Sequence, residues 1–297
     1  MKILLIGKTG QIGYSLFQRL KSTHELIIPD RSQLDLLDKT SIESRIDSIA
    51  PDIIINAAAY TDVDNAESNE YIAYQTNAEA PSLLAKKSML NNIPIIHFSS
   101  DYIFDGLKKG PYLEDDVPNP KSIYGRTKLM GEEATRQNPK HYIIRTSWVF
   151  SQHGNNFIKS ILNLFQEKKI LYVVNDQWGA PTSTDLIGHV IDIILSKVES
   201  NLSQNYYGTY HLACQGRTSW HGYAEKILEL IRLHDFKFNI KTETINPISS
   251  ISKHSIAQRP ANSVFCLDKI KHDFKIDLPD WKNEVDSVIC NLLKSAN

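Results

Sequence analysis

Five short runs, "KILLIG" (2–7), "ELIIPD" (25–30), "DIIINAAAY" (52–60), "PIIHFSSDYIF" (94–104) and "YIIRTSWVF" (142–150), are apolar and β-branched with little alternation. A strand with one wet face alternates apolar and polar residues. One that is apolar throughout is buried on both faces, as in a parallel sheet covered by crossover helices. Between the runs lie segments of helical character, Gln11 to Lys21, Ser41 to Ile49, Tyr71 to Asn91 and Ile123 to Arg136. This βαβα order predicts an α/β fold on a doubly wound parallel sheet.

The second half is less regular. It holds "ILYVVNDQWGAPT", a helix from about Thr184 to Val198, the strand "YGTYHLAC", and helices near Trp220 to Leu233 and Trp281 to Leu293. The reading is a dinucleotide-binding domain over residues 1–150, with elements returning to it at about 170–215. A smaller C-terminal α/β ligand-binding region then comprises 151–170 and 216–297. "ESNLSQNYYG" (199–208) reads as a loop. The long, proline-containing stretch from Asp105 to Ser122 is either a lid or rim over a ligand or a plain surface excursion.

Lys plus Arg number 33 against 34 Asp plus Glu, so no global field draws this chain to nucleic acid or to an anionic membrane. An anionic ligand needs a local site. The three cysteines, Cys214, Cys266 and Cys290, show no CxxC spacing, which suits a reducing cytoplasm and supplies no zinc pattern. No apolar stretch approaches the ~20 residues of a membrane helix, and none resembles a signal peptide.

"GKTGQIG" follows the first strand and opens a helix. Gly7 permits a tight turn, Gly10 lets backbone approach a pyrophosphate, and Gly13 lets the helix pack closely, while Lys8, Thr9, Gln11 and Ile12 fill out the turn. The positive helix end would then face phosphate. The alternative is a tight βα turn without a ligand. Asp30, near the end of the second run, stands where a carboxylate meets an adenosine ribose and favours NAD, whereas Arg31 with Lys8 suits the 2′-phosphate of NADP. Asp30 and Arg31 could equally cap a turn. NADPH and NADH both stay open. Asp35 and Leu36 are weaker candidates for the adenine, and Ala57, Ala58, Ala59 and Tyr60 offer a small-residue surface for a flat cofactor.

Tyr124 and Lys128 lie four residues apart in a helical segment, hence on one face. Such a pair arises by chance in a chain with this many tyrosines and lysines, so its weight comes from the glycine turn and from "HFSSDYIF" just upstream. A cation ~6 Å from the phenol oxygen, at an effective dielectric of ~20, favours phenolate by roughly 3 kcal/mol, about two pK units. That expectation brings Tyr124 toward neutral pH as a general acid. Ser99 or Ser100, at the end of the fourth run, supplies a hydroxyl where α/β sheets bind ligands, and Ser100 is preferred. The alternative is a serine turn closing a strand.

With these residues in place, the chain resembles the extended short-chain dehydrogenase/reductase superfamily, and within it the reductases of 4-keto dTDP-sugars. The likeness rests on "GKTGQIG", "NAAAYTDVDNAE", "SSDYIFDG", "YGRTKLMGE", "RTSWVF", "GNNF", "DQWGAPT" and "RPANS" in that order. It implies a Rossmann-type fold and reduction of a sugar-nucleotide ketone by NADPH or NADH, in a pathway that feeds polysaccharide biosynthesis. Hydride would go to C4 as Tyr124 gives a proton, with Lys128 on the nicotinamide ribose. The resemblance also implies cofactor contacts for Asn77 and Ser99. Thr61, Val63, Asp101, Tyr102 and Trp148 would line the sugar pocket, with Asn156 and Arg259 near the diphosphate. Ser100 replaces the family's usual threonine. Some relatives form metal-bridged dimers through three carboxylates; the matching positions here are Ser15, Asp185 and Asn291, so no metal and a monomer or weak homodimer are expected.

Two other readings stand beside this one. A related epimerase or dehydratase would use the same fold, though no Asp-Glu pair follows Ser100 to serve elimination chemistry. A non-catalytic regulatory subunit would have no need of serine, tyrosine and lysine together.

Overall fold

The computed structural model describes residues 1–200, 202, 205–234, 238–253 and 255–294. Three positions of the 199–208 loop, 201, 203 and 204, therefore lie outside the described residues. The chain begins β1 (Lys2–Ile6), α1 (Gln11–Leu20), β2 (Glu25–Ile27), α2 (Lys39–Ile49) and β3 (Ile53–Asn56). It continues through α3 (Val63–Ala66), α4 (Glu70–Tyr74), α5 (Ala80–Leu90), β4 (Ile95–Ser100), α6 (Ile123–Thr135) and β5 (His141–Thr146). Next come β6 (Val149–Phe150), α7 (Phe157–Glu167), β7 (Ile170–Val174), β8 (Trp178–Gly179), β9 (Thr182–Ser183) and α8 (Thr184–Glu199). The last are β10 (Gly208–Leu212), β11 (Thr218–Ser219), α9 (Trp220–Leu233), β12 (Thr244–Ile248), α10 (Asp268–Phe274) and α11 (Trp281–Lys294).

The central sheet has six parallel strands in the order β10-β5-β4-β3-β1-β2. Its apolar runs are buried on both faces, as their composition demands. Ile3 and Leu5 face one core with Leu16 and Leu20 of α1, while Leu4 and Ile6 face the other with Ile42 and Ile46 of α2 and Leu84 of α5. The strand order reverses beside β1, so the carboxyl ends of β1 and β3 form the topological switch point, where open α/β sheets bind ligands.

Among the returning elements, α8 packs on α1 and β10 completes the sheet, whereas β7 pairs with β12 in a separate two-stranded parallel sheet. The core on the α1 face runs unbroken into α7, α9 and α11 through Phe165, Tyr223 and Val285. The expected helix from Tyr71 to Asn91 is interrupted by a π-helical turn, Gln75–Glu79. That turn sinks Asn77 completely, and such bulges gather at functional sites.

The stretch from Asp105 to Ser122 is tied to the body as a wall. Its Tyr112 stacks on Phe104 at 4.2 Å between ring centres. The Tyr112 amide donates to the Val264 carbonyl, and the Tyr112 carbonyl accepts from Cys266, each at 2.8 Å. Among the described residues no helix is long and apolar enough to cross a membrane.

Candidate active site

The glycine turn is built by contact. Gly7 has φ +91°, and a Cβ there would come within 2.5 Å of the Ala58 nitrogen; one on Gly13 would come within 2.1 Å of the Gly7 oxygen. Only glycines let α1, the turn and the Ala57–Ala58 backbone close up this far. Helix α1 starts at Gly10 without a side-chain cap and carries no acidic residue in its first turn. Such a helix end is left for an anion. Gln11 turns aside to the Val149 carbonyl and Ser151. Thr9 is exposed, Ile12 is half-buried, and Lys8 places its ammonium 3.9 Å above the Phe17 ring.

At the adenosine end, β2 stops at Ile27, short of Asp30. Asp30 caps its own turn, with Oδ1 accepting from the Ser32 and Gln33 amides and the Ser32 hydroxyl, and these bonds hold the carboxyl below its usual value. Asp35 likewise caps Leu37, with Leu36 half-buried beside it. Arg31 is exposed.

Asn77 holds the Ala57–Tyr60 segment in place. It accepts from the Tyr60 amide at 2.8 Å and donates to the Tyr60 carbonyl at 3.0 Å and the Thr127 hydroxyl at 3.2 Å. The side chain implied to touch a cofactor thus positions that segment against α6.

Helix α6 carries Tyr124 and Lys128 up to the end of β4. Ser122 caps it by accepting from Gly125 at 3.1 Å, and a Cβ on Gly125 would lie 2.2 Å from the Tyr102 carbonyl oxygen, so the helix abuts the turn that follows Ser100. Lys128 donates to the Phe98 carbonyl at 2.6 Å, two residues before Ser100. The Ser100 hydroxyl accepts from the Tyr102 amide at 3.2 Å and donates to Asp101 at 2.9 Å, and it lies close enough to the Tyr124 phenol to favour its ionised form. Serine and tyrosine are therefore neighbours, with lysine bonded to the same strand two residues before the serine.

The electrostatics correct one expectation. Burial pushes the Tyr124 phenol well above 10, and the Ser100 hydroxyl offsets only part of that; burial also pulls Lys128 down to about 8. The ammonium was expected to bring the phenol toward neutral pH. It is instead directed at a backbone carbonyl, and desolvation of the phenolate dominates. Asp101, also buried, is raised to about 6.

Thr146, Ser147, Trp220 and Lys253 escaped sequence reading, whereas Ser99, Trp148 and Arg259 did not. Ser99, Thr146 and Ser147 present buried hydroxyls with no partner at the carboxyl ends of β4 and β5. Trp148, at φ +49°, stacks on Trp220 at 3.6 Å. Beyond it lies a cavity of about 220 Å³ lined by Phe157, Trp220, Gln177, Lys253 and Arg259. Only the stacking partner's aromatic character hinted at Trp220, since pairing across 72 residues leaves no local pattern. Arg259 pairs with Asp64 at 2.7 Å and donates to the Tyr102 hydroxyl at 3.0 Å, joining this cavity to the Tyr102–Tyr124 edge contact. Val63 is half-buried beside these rings and Thr61 is exposed at their margin. Asn156 does not line the cavity: it caps α7 and donates to Gln11 and the Ser151 carbonyl.

A larger cavity of about 360 Å³, lined by Glu114, Arg136, Arg145 and Lys269, contains none of these groups. Among the described residues, His234, just past the end of α9, and Asp286 and Cys290 of α11 bring donor atoms within 4.8 Å of one another; Ser15 and Asp185 are not in this group.

The model of the RmlD substrate binding domain family matches residues 1–294. The chain belongs to that family. It is 37% identical to the dTDP-4-dehydrorhamnose reductase of Sinorhizobium fredii, over 99% of this chain and 98% of the relative. The crystal structure of a dTDP-4-dehydrorhamnose reductase from Clostridium acetobutylicum superposes with a TM-score of 0.90 at 34% identity, covering 98% of this chain and 99% of the other. A dTDP-4-dehydrorhamnose reductase from Bacillus anthracis, solved in complex with NADP, gives 0.88 at 29% identity, with the same coverage of 98% and 99%. For this RmlD-family chain the likeness thus extends over both the sheet and the C-terminal half.

Proposed function

We propose that the protein reduces the C4 ketone of dTDP-4-dehydro-L-rhamnose to give dTDP-L-rhamnose, with NADPH or NADH as the reductant. The observation that carries this reading is the meeting of Ser100, Tyr124 and Lys128 at the end of β4, in a chain related end to end to reductases of that name.

The uncapped start of α1 and the Gly7–Gly13 cradle fit a pyrophosphate, and the unpartnered hydroxyls of Ser99, Thr146 and Ser147 fit the polar edge of a nicotinamide nucleoside. When bound there, the dinucleotide would supply the hydride. Lys128 would hold the ribose, and its positive charge favours the phenolate left when Tyr124 gives up its proton. Tyr124 gives its proton to the ketone oxygen as C4 is reduced. Ser100 orients that oxygen by hydrogen bonding, which acts most strongly where water is excluded.

Thr61, Val63, Tyr102 and Trp148 flank the sugar. Lys253 and Arg259 face the diphosphate, and Trp220 and Phe157 offer apolar faces to the base. In this division residues 1–150, with α8 and β10, hold the cofactor, and the remainder holds the sugar nucleotide. An assay of NADPH and NADH oxidation with dTDP-4-dehydro-L-rhamnose tests it, with other 4-keto sugar nucleotides compared. A product that keeps its ketone refutes it.

A further inference from the structure

The segment carrying Arg259 also reaches the catalytic hydroxyl. Four residues on, Ser263 donates its hydroxyl to Asp101 Oδ2, while Ser100 donates to Asp101 Oδ1 at 2.9 Å. All three side chains are buried, at 3%, 3% and 6% exposure for Ser263, Asp101 and Ser100. Ser263 is itself fixed, its amide donating to the Trp178 carbonyl at 2.7 Å and its neighbour Asn262 donating to the Lys108 and Gly110 carbonyls.

A hydroxyl has one hydrogen and two lone pairs. When Asp101 is ionised, the Ser100 hydrogen is held by Oδ1, and the Ser100 oxygen accepts from the Tyr102 amide. Ser100 then has nothing to donate to a ketone. When Oδ1 carries a proton, the bond reverses: Ser100 accepts from Asp101 and from Tyr102, and its own hydrogen is released. Because Ser263 donates to Oδ2, the proton is directed to Oδ1. We propose that Ser263 is a positioning residue for the reduction, setting through the Asp101 carboxyl which way the Ser100 hydroxyl points. This role rests on the reduction proposed above.

The ionisable groups around Asp101 come from every side. They are Tyr124 and Lys128 of α6, Tyr102 of its own turn, His97 of β4, and the Arg259–Asp64 pair bonded to Tyr102. Tyr102 is raised to about 12 and Lys128 lowered to about 8, both by burial; His97 is lowered and Asp64 lies below its usual value, so Asp101, at about 6, is the group that titrates there. The Ser263 bond favours the carboxylate, so its loss raises the Asp101 value further.

The test is the pH profile of kcat together with the ¹³C-carboxyl NMR titration of labelled aspartate, assigned by its loss in D101N. In the wild type kcat falls as pH rises through about 6. S263A moves both the limb and the carboxyl titration to higher pH and lowers kcat on the order of tenfold with KM little changed. S263T restores the wild-type profile, and D101N, whose amide always donates, has no limb. Should alanine unfold the chain, S263C is a weaker donor of similar volume and shifts both readouts in the same direction. An unmoved limb and carboxyl titration in S263A, or S263T behaving like S263A, overturns the role of Ser263 alone. A folded wild type that turns over no 4-keto sugar nucleotide overturns the reduction, and this role with it.

Discussion

Burial sets the free-state chemistry of Tyr124, the proton donor of the proposed reduction. Replacing it by phenylalanine is expected to lower kcat by about 10²–10⁴ while the dissociation constant for NADPH stays within about twofold; steady-state kinetics and a fluorescence titration measure the two. Asp101 gives a second prediction. Its folded pKa of about 6 lies above the ordinary carboxyl value of 3.8, so the folded chain binds the extra proton and wild-type stability declines as pH rises between those values. D101N is expected to lack that decline, as urea denaturation at a series of pH values would show. The placement of Tyr124, Lys128 and Ser100 was legible because helical spacing and strand ends are local properties. Their ionisation was not: it depends on the Phe98 carbonyl and on excluded water, which no spacing encodes. The same holds for Asp30, whose carboxyl serves a turn that its sequence position did not distinguish from a ribose contact.

Element by element, the continuous apolar runs and the glycine turn made the doubly wound sheet readable, since burial on both faces leaves the same mark in any such strand. What holds α6 at the right height was hidden. Arg145 of β5 and Glu132 of α6 form a buried pair with bonds of 2.9–3.2 Å, and Arg136 shares the same carboxylate; that this pair is buried depends on the packing of α6 on the sheet. Removing one partner of a buried pair leaves the other uncompensated, so Glu132→Ala is expected to cost about 3–5 kcal/mol in denaturant unfolding, with turnover per folded molecule changed far less. The π turn at Asn77 was also missed, although Pro81 marks it: it has no N–H to give the Asn77 carbonyl four residues back, and the bonds of Asn77 to Tyr60 complete the interruption.

At the scale of the molecule, the unbroken core from α1 to α11 makes the C-terminal half part of the same packed body as the sheet, which the sequence expressed only as a loss of regularity after residue 150. The cavity with Trp220 and Lys253 is the part of the candidate site that sequence reasoning missed, because its walls come from α7, β7, α9 and the segment after β12. With Ser15 and Asn291 in place of acidic residues, native mass spectrometry is expected to show a single chain, unchanged by a chelator; a chelator-sensitive dimer would contradict this. The most direct measurement is the stoichiometry of NADPH or NADH oxidised against dTDP-L-rhamnose formed from dTDP-4-dehydro-L-rhamnose, with Tyr124→Phe as control. One equivalent of each, abolished in the variant, is the expected result; oxidation without a new C4 hydroxyl, or undiminished turnover in the variant, would contradict it.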